Sequence, residues 1–244
     1  MVRYVCLDFE TNGFPGEGWY PMPWSSFPIQ VSLTAVQDGE VIHLYDSYIQ
    51  GAESLSPWVL KNVPITWANL ENAPGLPTVI KTIAGLLRPT DWIVAHNCAF
   101  DLETCLARTS KRLGLYSKEL HFILGLPRFC TMDCSYTRSV FCRRGKLPDL
   151  CAHFGVAFDE KAAHDATYDP LQLAQCVAEA VRRGVMLDEK PYTVPPDFSP
   201  QIPGPDHPQY ANLIAEVLNK PFVFILPADP PPGGNERGRT RLGA

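Results

Sequence analysis

The chain has 244 residues, 45% of them hydrophobic, enough for one large domain or a domain with an appendage, and 21 Lys and Arg against 26 Asp and Glu leave a formal net charge of −5. That balance excludes general electrostatic attraction to a polyanion or an acidic membrane surface, so a nucleic-acid partner must be held locally or through bound cations. No apolar run approaches the roughly 20 residues of a spanning helix, and the first ten residues turn acidic too soon for a signal peptide. The expectation is an intracellular, cytoplasmic protein, the nucleus left open, with no membrane partner.

Residues 4–10 form a strand-like run. Two more follow at 29–36 and 41–49, joined by Gln37-Asp38-Gly39-Glu40, where Asp-Gly between β-rich runs marks a hairpin. Between the first two, residues 12–28 are rich in Gly, Pro and aromatics (Phe14, Trp19, Tyr20, Trp24, Phe27) and read as a long loop, a class that is often functional. Residues 55–87 read as helical pieces broken by Pro57, Pro64, Pro74 and Pro77, the last over 78–87, where Val79, Ile80, Ile83, Leu86 and Leu87 keep helical spacing. Trp92-Ile93-Val94-Ala95 is a buried-strand run with His96 and Asn97 at its end. A helix is expected over 100–113, a short one over 147–154 within a mixed stretch 122–156, and a last one over 164–183 with Leu171, Ala174, Ala178 and Val181 on one stripe. Strands with intervening helices imply an α/β fold with a central mixed sheet flanked by helices.

From residue 185 the composition changes, with 12 of the 24 prolines in the last 60 positions. A proline-rich extension over 185–228, holding a short helix at 210–218 and a strand at 222–226, is expected to precede a disordered tail at 229–244. The eight cysteines lie mostly inside apolar segments and read as reduced thiols. Cys130, Cys134, Cys142 and Cys151 with His153 include ligands for zinc but none of the paired spacings of zinc fingers or ribbons. A zinc-dependent interaction protein stays as a rival class that metal analysis would settle.

Asp8 and Glu10 alternate along the first strand, so both project from one face roughly 6–7 Å apart. Divalent cations take such hard oxygen ligands; a solvated polar face is the alternative. Asp101 stands just past a buried strand at a helix start, either as a cap for free amides or, with Asn97 and Phe100 beside it, as part of a site. His164 precedes Asp169 by five residues at another helix start, a structural or a catalytic arrangement.

Together these segments resemble the DnaQ-like 3′-to-5′ exonucleases of the RNase H-like superfamily, in their DEDDh branch. The D-x-E motif matches Asp8-Phe9-Glu10 and continues as Thr11-Asn12-Gly13; N-x-x-F-D matches Asn97 to Asp101; H-x-A-x-x-D matches His164, Ala166 and Asp169. The sister branch places a tyrosine four residues before the last acid, where this chain has Asp165. The resemblance spans about residues 2–184, with weaker echoes at 63–66 and 146–150. It implies an RNase H-like fold with a five-stranded sheet and an exonuclease domain over 1–184. It also implies that Asp8, Glu10, Asp101 and Asp169 hold two Mg2+ (or Mn2+) about 4 Å apart, and that His164 is the general base, with Asp165 as second candidate. Pro170, directly after Asp169, implies that the last helix begins late or is kinked.

The implied substrate is the 3′ end of single-stranded DNA or RNA, the two not separable from sequence, with release of nucleoside 5′-monophosphates. Thr11, Asn12, Gly13, Phe14, Asn97 and Phe100 are candidate substrate contacts, the aromatic loop 14–27 offering rings for base stacking or else a packed lid. Arg143 and Arg144, with Arg138 and Lys146, form the densest basic cluster, placed to track a phosphate backbone or else a solvated turn. The proline-rich C-terminus is a candidate site for a protein partner. A catalytically silent interaction module on the same fold is the alternative function.

Overall fold

β-rich runs on either side of Asp38-Gly39 pair as the sequence suggests: β2 (Pro28–Gln37) and β3 (Glu40–Tyr48) are antiparallel. Asp38 and Gly39 both take positive φ, 56° and 84°, the backbone twist that two-residue hairpins need. A computed structural model describes residues 2–13 and 26–185. Residues 14–25 of the aromatic loop, the extension past 185 with its expected helix and strand, and the tail lie outside the described residues.

β1 (Tyr4–Thr11) pairs antiparallel with β2 and parallel with β4 (Trp92–Ala95), which pairs parallel with β5 (Arg128–Cys130). The order β3-β2-β1-β4-β5 makes the expected mixed five-stranded sheet. β2 is buried at every position but Gln37, because helices cover both of its faces. β3 is the half-exposed edge, and its ladder slips between Leu33 and Thr34, leaving Leu44 as an extra residue between Tyr45 and His43. β5 was not expected from sequence; at three residues it is too short to show a period.

On one face Val5, Leu7, Phe9, Val31, Leu33 and Ala35 join the larger core. Helices α1 (Pro57–Asn62), α2 (Trp67–Glu71), α3 (Leu76–Leu86) and α5 (Lys118–Gly125) pack there, with a π-helix (Ala99–Arg108) that runs on into α4 (Thr109–Arg112). Ser56 caps α1 by accepting from the Val59 amide, and Thr66 with Asn69 forms a reciprocal capping box on α2. In α3, Val79, Ile80 and Ile83 are buried at the predicted spacing. The helix expected at 100–113 is present in extent, but its first ten residues are π-wound, a geometry that concentrates at functional sites.

On the other face Cys6, Val36, Val94 and Phe129 meet α7 (Leu147–Phe154) and α8 (Tyr168–Arg182). α6 (Ser135–Phe141) leads into α7. The last helix begins at Tyr168 rather than at the expected 164, with Pro170 in its first turn, where a missing N–H leaves no intrahelical bond unmade. All eight cysteines are free thiols, seven of them buried, and Cys151 and Cys176 face each other across α7 and α8 with sulfurs 3.6 Å apart. Among the described residues, no helix is long and apolar enough to cross a membrane.

Candidate active site

β1 and β4 run parallel, so their C-terminal ends open at the same edge of the fold, where α/β sheets bind ligands. Residues opposite each other on paired strands share a face: Cys6 with Thr34, Asp8 with Ser32, Glu10 with Gln30. The acids of β1 therefore stand beside a polar row on β2, while their odd-numbered neighbours lie in the core.

β4 pairs with β1 only as far as Cys6. Beyond that point the strands part, and the Phe9 amide would be left open. Asp101 fills the gap: its Oδ1 accepts from the Phe9 N–H at 3.0 Å, and the side chain is 1% exposed. Asn97 starts the helix that carries it, its carbonyl accepting from the Phe100 and Asp101 amides. His96, one residue earlier, is bonded through Nδ1 to the Thr131 hydroxyl, and burial pulls its pKa down to about 4, so it is neutral.

The third segment is a turn. His164 takes a positive φ of 64°, and its amide points at Asp169 Oδ2, 3.4 Å away. Its ring meets the Trp58 indole of α1 edge-on, centroids 5.1 Å apart. Asp165, the second candidate for the base, is occupied by structure: Oδ1 accepts from the Thr167 amide and hydroxyl, both at 2.8 Å, and from Gln30 Nε2 at 3.3 Å. Its carbonyl accepts from the Tyr168 and Asp169 amides, so Asp165 launches α8.

Ligand atoms of Glu10, His164 and Asp169 lie within 4.8 Å of one another. Burial, followed by the charges of Asp101, Asp169 and Asp165, pushes the Asp8 carboxyl well above its ordinary range. Burial followed by Asp8 and Asp169 does the same to Glu10. Burial raises Asp101 against the opposing Phe9 hydrogen bond, and burial, with Asp165 adding to it, raises Asp169 to about 6. Desolvation lowers His164, although the residue keeps an exposed side. Asp169 Oδ1 is buried without a hydrogen-bond partner. Four carboxylates that repel one another, with an orphaned oxygen among them, fit a hard divalent cation, since only a positive charge at their centre lets all four ionise. None of the cysteines belongs to a group of three or more ligand atoms among the described residues, so the zinc reading of the cysteine run finds no support.

Candidate substrate residues fare unevenly. Asn12 has a structural role: its Nδ2 donates to the Ser54 carbonyl and its Oδ1 accepts from the Ser26 and Phe27 amides, so the side chain ties the base of the aromatic loop. Thr11 is buried and donates to the Gly13 carbonyl. Gly13 lies so close to α1's cap that a Cβ there would sit 3.0 Å from Ser56 Cβ. Phe27 is buried against Gly51 in the core, in keeping with the packed alternative for that end of the loop; Phe14 is outside the described residues. Asn97 and Phe100 are half-buried at the strand end, Phe100 against the larger core. Arg143 and Arg144 are exposed but each meets an acid, Asp149 at 2.6 Å and Asp133 at 3.3 Å, while Arg138 also meets Asp133. With Lys146 that is four basic groups against two acidic ones, so the cluster keeps an excess of positive charge.

Trp58 and Gln30 were not found in the sequence, whereas a cap was one of the two readings open for Asp165. Gln30 did leave a signal: Gln30, Ser32 and Thr34 place polar groups at alternate positions of an otherwise apolar strand.

An exonuclease family model, RNase_T, matches residues 5–177. Ribonuclease T of Photorhabdus laumondii is 26% identical over 199 residues, covering 78% of this chain and 88% of that protein. Ribonuclease T of Pectobacterium atrosepticum is 33% identical over 189 residues, 73% of this chain and 81% of that protein. Among solved structures, a 3′-exonuclease described in 3′-end specific recognition of a histone mRNA stem-loop shares the fold, with a TM-score of 0.62 at 15% identity over 81% of this chain and 95% of its own.

Proposed function

Given that the chain belongs to the RNase_T exonuclease family and is a 3′-to-5′ exonuclease of the DnaQ-like kind, we propose that it removes single nucleotides from the 3′ ends of single-stranded DNA or RNA as nucleoside 5′-monophosphates. The observation that carries this reading is the gathering of Glu10, His164 and Asp169 within 4.8 Å, with Asp8 raised by burial and the charges of Asp101 and Asp169, and Asp101 by burial and the charge of Glu10. Asp8, Glu10, Asp101 and Asp169 would hold two Mg2+ or Mn2+ ions, which when bound supply the charge that polarises the phosphate and stabilises the leaving oxygen.

The chain's own residues do the rest. His164, with its pKa lowered, is neutral at neutral pH and accepts a proton from the attacking water as its oxygen bonds to phosphorus. The P–O3′ bond breaks, and the freed 3′ oxygen takes up a proton from solvent. Trp58 against the imidazole limits how far that ring can swing. Asp165, bonded three times through one oxygen, serves as a support and not as the base. Arg143 and Arg144 steer the strand behind the scissile bond, loosened from Asp149 and Asp133 by the arriving phosphates. In this reading residues 1–184 are the catalytic domain, and the proline-rich 185–228 and tail 229–244 are appendages, the former a place for a protein partner.

Incubating 3′- and 5′-labelled single-stranded DNA and RNA with Mg2+ tests the reading. Stepwise loss of the 3′ label as mononucleotide, stopped by chelator, is expected. Degradation from the 5′ end, or indifference to chelator, would sink it.

A further inference from the structure

β2 is buried on both faces, yet it carries a glutamine at its centre of function: Gln30 is 4% exposed and lies directly opposite Glu10 in the antiparallel register. Its Nε2 spans 135 residues of sequence to donate to Asp165 Oδ1 at 3.3 Å, and its Oε1 is buried with no hydrogen-bond partner. A buried amide is costly unless bonded, so the bond to Asp165 is what this position is built around. Asp165 is in turn fixed to the start of α8 by the Thr167 amide and hydroxyl and by its own carbonyl, which accepts from Tyr168 and Asp169. His164 and Asp169 flank this small rigid turn. One amide therefore ties the strand beside Glu10 to the segment that brings the histidine and the last acid to it.

From this juxtaposition we infer that Gln30 is a positioning residue of the exonuclease, setting the His164–Asp169 segment against the carboxylates of β1. The inference rests on the roles proposed above for His164 and Asp169. A glutamine suits the place because it satisfies Asp165 with a neutral donor, whereas a glutamate would add a further carboxylate beside Asp165 to a cluster already crowded with negative charge.

Gln30→Met keeps the length and burial of the side chain but removes the donor. On protein shown by circular dichroism to be folded at the assay temperature, it is expected to lower kcat on a 3′-labelled oligonucleotide about ten- to hundredfold, the usual cost of losing a group that orients a site's ligands, with KM within about twofold. Gln30→Glu alone is expected to be as impaired, since it faces Asp165 with like charge. Adding Gln30→Met to Asp165→Ala is expected to lower kcat little beyond Asp165→Ala alone, because the amide acts through that carboxylate, a non-additivity that a role in bulk stability would not produce.

His164→Ala in the same assay separates the two readings. If it turns over like the unaltered protein, the general-base assignment fails, while Gln30→Met is still expected to lose kcat through Asp169. The inference is overturned by unchanged kcat in Gln30→Met, or by losses in Gln30→Met and Asp165→Ala that simply multiply in the double variant.

Discussion

Val5, Leu7 and Phe9 point from β1 into the larger core, opposite Ala35, Leu33 and Val31. Cys6, Asp8 and Glu10, one residue out of step, share the other face with Thr34, Ser32 and Gln30. Burying each large apolar side chain stabilises the fold by about 1.5–3 kcal/mol. The acids next to them are pressed together and raised above their ordinary pKa range, which costs stability until a cation arrives. A strand's two-residue period thus lets one segment hold the fold together on one side and carry charges that strain it on the other. The rigid core is what keeps the repelling carboxylates in place.

The contrast breaks most visibly if an acid is neutralised. His164→Ala is expected to lower turnover about 10²- to 10⁴-fold, and Asp8→Asn at least as much. In chelator, Asp8→Asn should also melt above the unaltered protein, because it removes a buried repulsion. A lower Tm would show that Asp8 supports the fold. On the other face, Leu7→Ala should cost about 2–5 kcal/mol in urea unfolding while leaving kcat per folded molecule unchanged.

Mg2+ should stabilise the unaltered protein by about 2.7 kcal/mol at a hundred times its Kd, and Asp101→Asn should lose most of that gain; an equal gain in both would remove Asp101 from the metal site. In chelator, pH should act in the same sense. Asp169, raised by burial to about 6 in the folded protein, binds its proton more tightly folded than unfolded. Measured against Asp169→Asn, which leaves the neutral buried His96 and the other acids in place, the unaltered protein's stability without metal should therefore fall as pH rises from about 4 to 6, and saturating Mg2+ should flatten that difference. A difference that instead moves in the unaltered protein's favour over that window contradicts the electrostatic account. Smallest of all, Arg143→Ala should weaken oligonucleotide binding a few-fold and reduce its salt slope by about one, the loss being tempered by the existing pair with Asp149.

Period and turn chemistry made much of the fold legible. β1 to β3 with the Asp38-Gly39 hairpin, β4, and α7 fall where alternation, apolar runs and helical spacing put them. β5, α5 and α6 fell inside or beside a stretch without a clear period, because short elements buried by tertiary contacts need little local signal. The acids and His164 stood out because three short motifs fix their spacing. Gln30 and Trp58 did not, since their importance lies in partners 135 and 106 residues away. The structural part of Asn12 was hidden too: the motif's continuation marked it as a substrate contact, while its amide matches three main-chain groups of a loop base.

The three segments of the site lie far apart in the chain, and synthesis delivers them in order. β1 to β3 can pair as soon as they emerge, but the Phe9 amide waits for Asp101, 92 residues later, and Gln30 waits 135 residues for Asp165. Asp8 and Asp169 are separated by 169 − 8 = 161 positions, roughly 10 to 30 s at the usual pace of 5–20 residues per second. On the roles proposed above, a nascent chain presents for that interval a partly paired sheet without a complete active centre, and products that stop before α8 lack Asp169, the last of its acids.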